Sequence, residues 1–395
     1  MTNILPSHPH ISFERNWHLD ENTLFMLGQC ESIIRIISSA PLEPENRKKL
    51  LHVSMRKGAQ ATTAIEGNTL SEEEIIKIDE GGNLPPSKEY LQKEVQNVIS
   101  ALNKILSEVV IDGKDHLITP DLIKSFHTYI GKDLGEHFRA IPGQFRTAGH
   151  DVIVGSYKPP LGKDVVSLVV RLCDWLKEMF HYEDGKQNFI EQVLQAIVTH
   201  VYIAWIHPFD DGNGRTARLI EFYLLLRAGL PNIASHIPSN HYNDTREEYY
   251  RQLEQAGKEK NLSRFIAYAV LGFRDGLNEV LDVVQKDVLK TAWYNYIYEI
   301  LDSKKAAGKT KAIVKRRRDI ALNFPTESFL TIDHLLNNNA MFARKYAKLS
   351  PMTLKRDLLE LEKLELIVRQ GDTYKANIEI LKQSMPLKKI KNSGV

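Results

Sequence analysis

Cysteine is nearly absent. Two occur among 395 residues, Cys30 and Cys173, which excludes a disulfide framework and a cysteine-rich metal site. An excess of one charge is absent too. The formal net charge is +2, too small for a chain that works mainly by coating nucleic acid. No apolar run approaches the roughly 20 residues of a membrane-spanning helix, so no membrane partner is expected. The start, Met1-Thr2-Asn3-Ile4-Leu5-Pro6-Ser7-His8, lacks the basic stretch and following apolar run of a secretory signal. Internal repeats and low-complexity segments are missing as well. What remains is ordinary for a globular protein: 43% hydrophobic and 26% charged residues, over a length that suits roughly two or three domains.

Against that background one stretch stands out, His207-Pro208-Phe209-Asp210-Asp211-Gly212-Asn213-Gly214-Arg215-Thr216-Ala217-Arg218. An imidazole with an ordinary pKa of about 6.5 can take a proton at neutral pH. Pro208 disfavours helix at the residue before it, so His207 sits where a helix ends. Asp211 offers a hard oxygen suited to Mg²⁺. Gly212 and Gly214 let backbone turn sharply and approach a ligand. Arg215 and Arg218 are neighbours on a helical surface, and both forks can hold phosphate. Downstream, Leu219, Phe222, Tyr223 and Leu226 repeat at helical spacing, until Gly229 and Pro231 give a stop signal. Upstream, Phe189, Val193, Ala196, Ile197, His200 and Ala204 share one helical face. A tight loop therefore opens a helix, and its free N–H groups form an anion site.

The stretch resembles the signature of the Fic family, His-x-Phe-x-(Asp or Glu)-Gly-Asn-Gly-Arg-x-x-Arg, at every fixed position. The resemblance implies an all-α fold: a Fic helical core, a small β-hairpin flap and, often appended, a C-terminal winged helix-turn-helix domain. It implies a protein adenylyltransferase, self-inhibited, that uses ATP with Mg²⁺ and moves AMP to a Ser, Thr or Tyr hydroxyl of a target protein, with self-modification included. His207 then takes the hydroxyl proton and Asp211 holds the metal. Gly212, Asn213, Gly214, Arg215 and Arg218 hold the phosphates. A cytoplasmic setting, which supplies ATP, fits. Two alternatives stay open. The same site removes AMP from a modified protein, with Glu66 orienting water. Or the chain is a nucleotide-sensing winged-helix DNA-binding regulator, against which an intact His207 and Asp211 argue.

In chain order, residues 1–114 read as an N-terminal helical region. One helix there runs into Thr62-Thr63-Ala64-Ile65-Glu66-Gly67. Gly67 suits a C′ position, and Glu66 then lies where the helix dipole disfavours an anion, so a compensating cation is expected. Thr62, Glu66 and Gly67 resemble the family's inhibitory motif (Ser or Thr)-x-x-x-Glu-(Gly or Asn). That resemblance implies a pair between Glu66 and Arg218 that crowds the γ-phosphate. Residues 115–285 read as the core. Within it, Gly143-Gln144-Phe145-Arg146 leads to Val152-Ile153-Val154-Gly155 and Tyr157, a short hairpin. A plain surface ribbon is the alternative. By resemblance it is the flap, with Val154, Gly155, Ser156 and Tyr157 nearest the ATP. Tyr249 and Tyr250 carry over as neighbours of the nucleotide base, although paired tyrosines also read as half-buried packing. Some relatives place an asparagine where this chain has Gly257.

Residues 261–303 read as two helices, the later part, 286–304, a connecting helix. A basic hinge, Lys304 to Lys309, sets a boundary near 305, and 305–382 read as a winged helix. In it Leu366-Ile367-Val368 and Thr373-Tyr374-Lys375 bracket a Gly371-Asp372 turn. Lys355 and Arg356 open the recognition helix. DNA and protein contacts, a homodimer among them, are both compatible with such a module. Residues 383–395 read as a basic tail.

Overall fold

The computed structural model describes residues 5–113, 117–180, 188–303, 311–338, 340–346 and 349–383. The basic hinge from Lys304 and the tail beyond Gln383 lie outside them. The chain divides into two compact units, Met1–Asp282 and Val283–Val395. The break falls inside a helix.

The first unit is helical. Its elements are α1 (Glu21–Ser39), α2 (Pro44–Ala64), α3 (Glu72–Asp79), α4 (Glu89–Leu106), α5 (Pro120–Gly131), α6 (Gly162–Met179), α7 (Phe189–Ile206), α8 (Asn213–Arg227), α9 (Ile237–Asp244) and α10 (Arg246–Glu259). The 41-residue helix α11 (Ser263–Ser303) begins here. Local chemistry sets several starts. Thr119 caps α5 through its hydroxyl, with Pro120 in the first turn, and Ser71 forms a reciprocal capping box with Glu74 on α3. Helices α7 and α8 form the centre, flanked by α6 on α7 and by α4 and α5 on α8, while α2 lies against α4, α8 and α9. Helix α7 is the one described helix long and apolar enough to cross a membrane, and most of it is buried in this unit. An apolar helix enclosed on all sides reads that way by composition alone.

Two expectations change. Residues 263–303 form one helix rather than two, because Gly272 and Gly276 act as contact points. A Cβ at Gly272 would overlap His241, and one at Gly276 would overlap Ile237. Glycine weakens a helix interior but permits close approach. The flap is also smaller than a hairpin of strands. It is one antiparallel bridge, Val154 to Tyr157, closed by two N–H···O bonds of 2.9 Å. Gly155 takes a φ of +57° in the turn, as two-residue hairpins require.

The second unit packs the end of α11 with α12 (Lys311–Leu322), β1 (Leu330–Thr331), α13 (Ile332–Asn338), α14 (Ala340–Tyr346), α15 (Pro351–Lys363), β2 (Ile367–Gln370), β3 (Thr373–Ala376) and α16 (Glu379–Gln383). The sheet is antiparallel, ordered β1-β3-β2. Its hairpin turns at Gly371-Asp372, with Gln370 opposite Thr373. Two arginines of the basic run of α12 are consumed internally. Arg316 and Arg317 donate to buried Asp357 at 2.6 and 2.7 Å, and Tyr346 adds a third bond at 3.1 Å. Burial alone would raise the Asp357 carboxyl, but the two arginines outweigh it and hold it below its usual 3.8. A depressed carboxylate contributes stability that is present above its ordinary pKa and is lost on acidification. Asp357→Ala strands part-buried Arg316 and leaves Arg317 with Glu360 alone, so it should destabilise this unit by about 3 kcal/mol. Faster amide exchange along α15 at neutral pH, converging with the parent on acidification, is the measurement.

Candidate active site

Helix α7 ends at Ile206, and His207 caps it in the left-handed region, φ +51° and ψ +63°. The chain then doubles back, and α8 starts at Asn213 behind Gly212, whose φ is +75°. Gly212 has no alternative, since a Cβ there would press on Phe138 and His127. Asn213, expected at the phosphates, instead uses its buried side chain to brace the loop. Its Oδ1 accepts from Phe209 N and its Nδ2 donates to Phe209 O, both at 2.8 Å.

Three residues with no part in the signature complete the loop's support. His127 on α5 stacks on Phe209, ring centroids 3.6 Å apart. Its Nε2 donates to the Asp211 carbonyl and its Nδ1 accepts from Gly143 N, both at 2.9 Å. That pattern fixes a neutral tautomer, and burial keeps the ring down at about 4. Glu94 on α4 is buried and pairs with Arg215 Nη1, while Asn68 donates to its other oxygen at 2.8 Å. Burial raises the Glu94 carboxyl against the pull of Arg215. Arg146 is buried against the end of α7 and bonds the His207 carbonyl at 2.7 Å. One sequence signal could have exposed Glu94. It is a charged residue beside Val95 and Val98 on the buried stripe of α4.

Arg215, expected on phosphate, is held between Glu94 and Asp211, whose Oδ1 accepts from Nη2 at 2.9 Å. The same oxygen accepts from Gly212 N at 2.6 Å. Among the described residues Asp211 Oδ2 meets only a long bond from Arg139 N, 3.3 Å, and the side chain keeps 26% exposure. That oxygen is the one able to reach a cation.

The segment that ends α2 stops as its local chemistry requires. Gly67 has φ +101°. Its N–H bonds Ala64 O, and Asn68 N–H bonds Thr63 O, the Schellman pattern with Gly67 at C′. Glu66 therefore projects from the end of α2, and Arg218 Nη2 donates to its Oε1 at 2.7 Å and to the Thr62 carbonyl at 2.8 Å. One nitrogen serves both acceptors, so Thr62 takes part through its backbone. The carboxylate lies on the first turn of α8, where a Cβ at Gly214 would overlap Oε1. Burial alone would raise the Glu66 carboxyl, but Arg218, Arg215 and His207 together hold it below its usual 4.5. Both Arg215 Nε and Arg218 Nε are buried without a hydrogen-bond partner among the described residues.

Burial also lowers the His207 imidazole to about 4, opposed by a hydrogen bond to the Ala204 backbone. The ring is thus neutral, with one nitrogen engaged and the other carrying a free lone pair. The remaining expected residues divide. Val154 and the Gly155-Ser156 turn are exposed. Tyr157 points its hydroxyl back, donating to Trp205 O at 2.8 Å and accepting from His10 Nε2 at 3.0 Å. Tyr249 is buried, its hydroxyl 2.9 Å from His200 Nε2 and its ring stacked on Tyr242, so it serves packing. Tyr250 is 44% exposed and stands 3.4 Å from the Ile65 carbonyl, beside the turn at Gly67.

Comparison with known proteins agrees with this geometry. Residues 117–225 match the Fic/DOC family model. The chain is 30% identical to the protein adenylyltransferase fic-1 of Caenorhabditis briggsae over 207 residues, 52% of this chain and 37% of that one. It is 31% identical over 209 residues to the protein adenylyltransferase Fic of Nematostella vectensis, covering 52% and 44%. The chain thus spans under half the length of these curated relatives. A Fic family protein from Desulfovibrio desulfuricans shares the fold over 92% of this chain and 98% of its own, with TM-score 0.55 and 19% identity. The match to the Fic/DOC family model thus takes in residues 117–225, the segment built around the turn at His207.

Proposed function

We propose that this chain transfers AMP from ATP to a hydroxyl side chain of a target protein and that Glu66 restrains the reaction. The observation that carries the proposal is the Glu66 carboxylate itself. It is an anion already seated at the start of α8 and gripped by Arg218, where the unsatisfied N–H groups of a helix favour phosphate. The unpartnered Nε atoms of Arg215 and Arg218 are further donors for phosphate oxygens, a class of contact that Arg serves well.

In the reaction the target hydroxyl oxygen bonds the α-phosphorus, the bond to pyrophosphate breaks, and the hydroxyl proton passes to the free nitrogen of His207. The chain contributes chiefly position and charge stabilisation, as phosphoryl transfer requires. Val154, Gly155 and Ser156, exposed on the flap, align the target chain, and Tyr250 stands nearest the nucleotide base. Asp211 fits a hard divalent cation through Oδ2, and Mg²⁺ there would neutralise phosphate charge. Asp211→Asn keeps the bonds to Gly212 and Arg215 but removes the charge. It should raise the Mg²⁺ needed for nucleotide binding by more than the roughly tenfold lost with an outer-shell partner. A Mg²⁺ titration of nucleotide affinity identical to the parent's would remove Asp211 from that role.

The ionised state of Glu66 favours a second reading, removal of AMP from a modified protein with Glu66 orienting the water. One assay separates the two. α-Labelled ATP with host proteins reports label gained, and a pre-labelled target reports label lost. Neither gain nor loss would leave the site without transfer chemistry. The proposal places the reaction in the cytoplasm. In the second unit Lys355 and Arg356 are exposed on α15, and retention on duplex DNA at near-physiological salt tests whether that helix reads nucleic acid.

A further inference from the structure

We infer that Arg146 is a positioning residue that couples the flap to His207. The inference rests on the AMP-transfer reading only for what the coupling is used for.

The geometry is that of a hub. Arg146 is 2% exposed. Its Nε donates to the His207 carbonyl at 2.7 Å, and Nη2 donates to the Ile206 carbonyl at 3.1 Å. These are acceptors that a helix end leaves unsatisfied. On its far side Nη2 also donates to Pro160 O at 2.6 Å and Nη1 to His150 O at 3.4 Å. His150 precedes the flap bridge and Pro160 follows it. The Arg146 backbone N–H donates to Pro208 O at 3.0 Å. One planar fork thus holds both ends of the flap and both carbonyls flanking the turn that aims the imidazole.

Such an arrangement matters because His207 sits at positive φ, where an L-residue other than glycine is disfavoured and must be held by its surroundings. Carbonyls grouped at the negative end of α7 attract a cation, and a guanidinium reaches several at once where an ammonium cannot. Movement of the flap as a target docks would reach His207 through this side chain. Tyr157 adds a second tie, from the flap to Trp205 O, two residues before His207. His10 in turn holds the Tyr157 hydroxyl, so residues ahead of α1 brace the same segment.

The test uses the full chain carrying Glu66→Gly, with Arg146→Lys or Arg146→Ala added. We expect ATP affinity unchanged, because α8 is untouched, and kcat lowered on the order of a hundredfold by misplacement of the base. Amide exchange should rise at least tenfold at His207 and Tyr157 and stay at parent values in the middle of α8. Free guanidinium should recover at least tenfold in kcat for Arg146→Ala and none for Arg146→Lys. Parent kcat in Arg146→Lys overturns the proposal. So does exchange that rises evenly across α7 and α8, or ATP affinity that falls in step with kcat, since both mark a merely structural role. A chain that folds with neither substitution, even in guanidinium, overturns it likewise. Should Glu66→Gly alone transfer no AMP, the functional reading fails, while the exchange measurement still decides whether Arg146 joins flap and base.

Discussion

Replacing Glu66 with glycine is expected to raise AMP transfer from ATP, self-modification included, by up to about a hundredfold. The argument starts at the end of α2. The Schellman turn at Gly67 sends Glu66 toward α8, and Arg218 closes on it at 2.7 Å. The Arg218 side chain is 1% exposed and Glu66 29%, so this pair is shielded well beyond the exposed kind that contributes little. ATP entering this site meets a fixed negative charge at the first turn of α8, with Arg218 already engaged. A triphosphate displaced by about 1 Å from in-line geometry can lose on the order of a hundredfold in rate, and removing the carboxylate returns that factor. Glu66→Gln keeps the shape, weakens the charge-assisted bond and should fall between glycine and the parent. Arg218→Ala should not activate, because a phosphate ligand leaves with the pair, and the double variant should behave as Arg218→Ala. The pH dependence has a definite sign. Glu66 is held below its ordinary 4.5, so the restraint is complete above that value and is lost only as pH falls through the lowered one. The ratio of Glu66→Gly to parent should therefore be constant from about pH 6 to 8. Label incorporation at saturating ATP is the measurement. Equal rates for parent and Glu66→Gly would dismiss self-inhibition, and loss of AMP removal in Glu66→Gly would favour the reverse reaction.

The parts of this arrangement that could be read from sequence are those whose causes are local. Pro208 ends α7 at His207, Gly212 permits the reversal, and the apolar repeat from Leu219 carries α8. All of these act within a few residues, so the loop is legible as a unit. Thr62, Glu66 and Gly67 are legible for the same reason, since the helix stop that aims Glu66 is written beside it. Side-chain purpose is less so. Asn213 looks like a ligand residue until Phe209 is found using both ends of its amide. Glu94 and His127 come from 121 and 84 residues away in sequence, and on their own helices they read as a misplaced charge and a core histidine. Arg146 stands in a stretch singled out for its turn, yet only tertiary contact turns its fork into a clamp. The flap misleads in the opposite direction. Val152, Ile153 and Val154 have strand chemistry, but with no sheet beside them the pairing stops after one bridge. A hairpin without a neighbouring strand or packed face is marginal. At α11 the sequence reads as two helices, whereas one runs through, with Gly272 and Gly276 using their missing side chains to pack against His241 and Ile237. Tyr249 and Tyr250 show the same limit. Adjacency in sequence says nothing about which of the two is enclosed.

Loss of His207 is the other large effect. His207→Asn should lower transfer about 10²- to 10⁴-fold below the Glu66→Gly parent's rate, the range a positioned base supplies, while ATP affinity stays near the parent's. Asparagine is the better substitution, because it tolerates the left-handed region that His207 occupies, at φ +51°. Alanine would confound lost chemistry with backbone strain. The imidazole suits its role by being neutral. Burial lowers it to about 4, with Arg146 acting in the same direction and Glu66 and Asp211 opposing. Since its folded value lies below the ordinary 6.5 of a histidine, the base form is complete above about pH 5 and is lost only on strong acidification. A catalyst resting on an unperturbed imidazole would lose half its rate near pH 6.5. Here the His207-dependent rate should be flat from about pH 7.5 to 5.5, measured as single-turnover label transfer at saturating ATP and Mg²⁺. Two results would displace His207 as the base. One is a half-loss centred near pH 6.5, which would mean a solvated ring. The other is a His207→Asn chain that still modifies its target at the parent rate, which would mean that the proton leaves by another route.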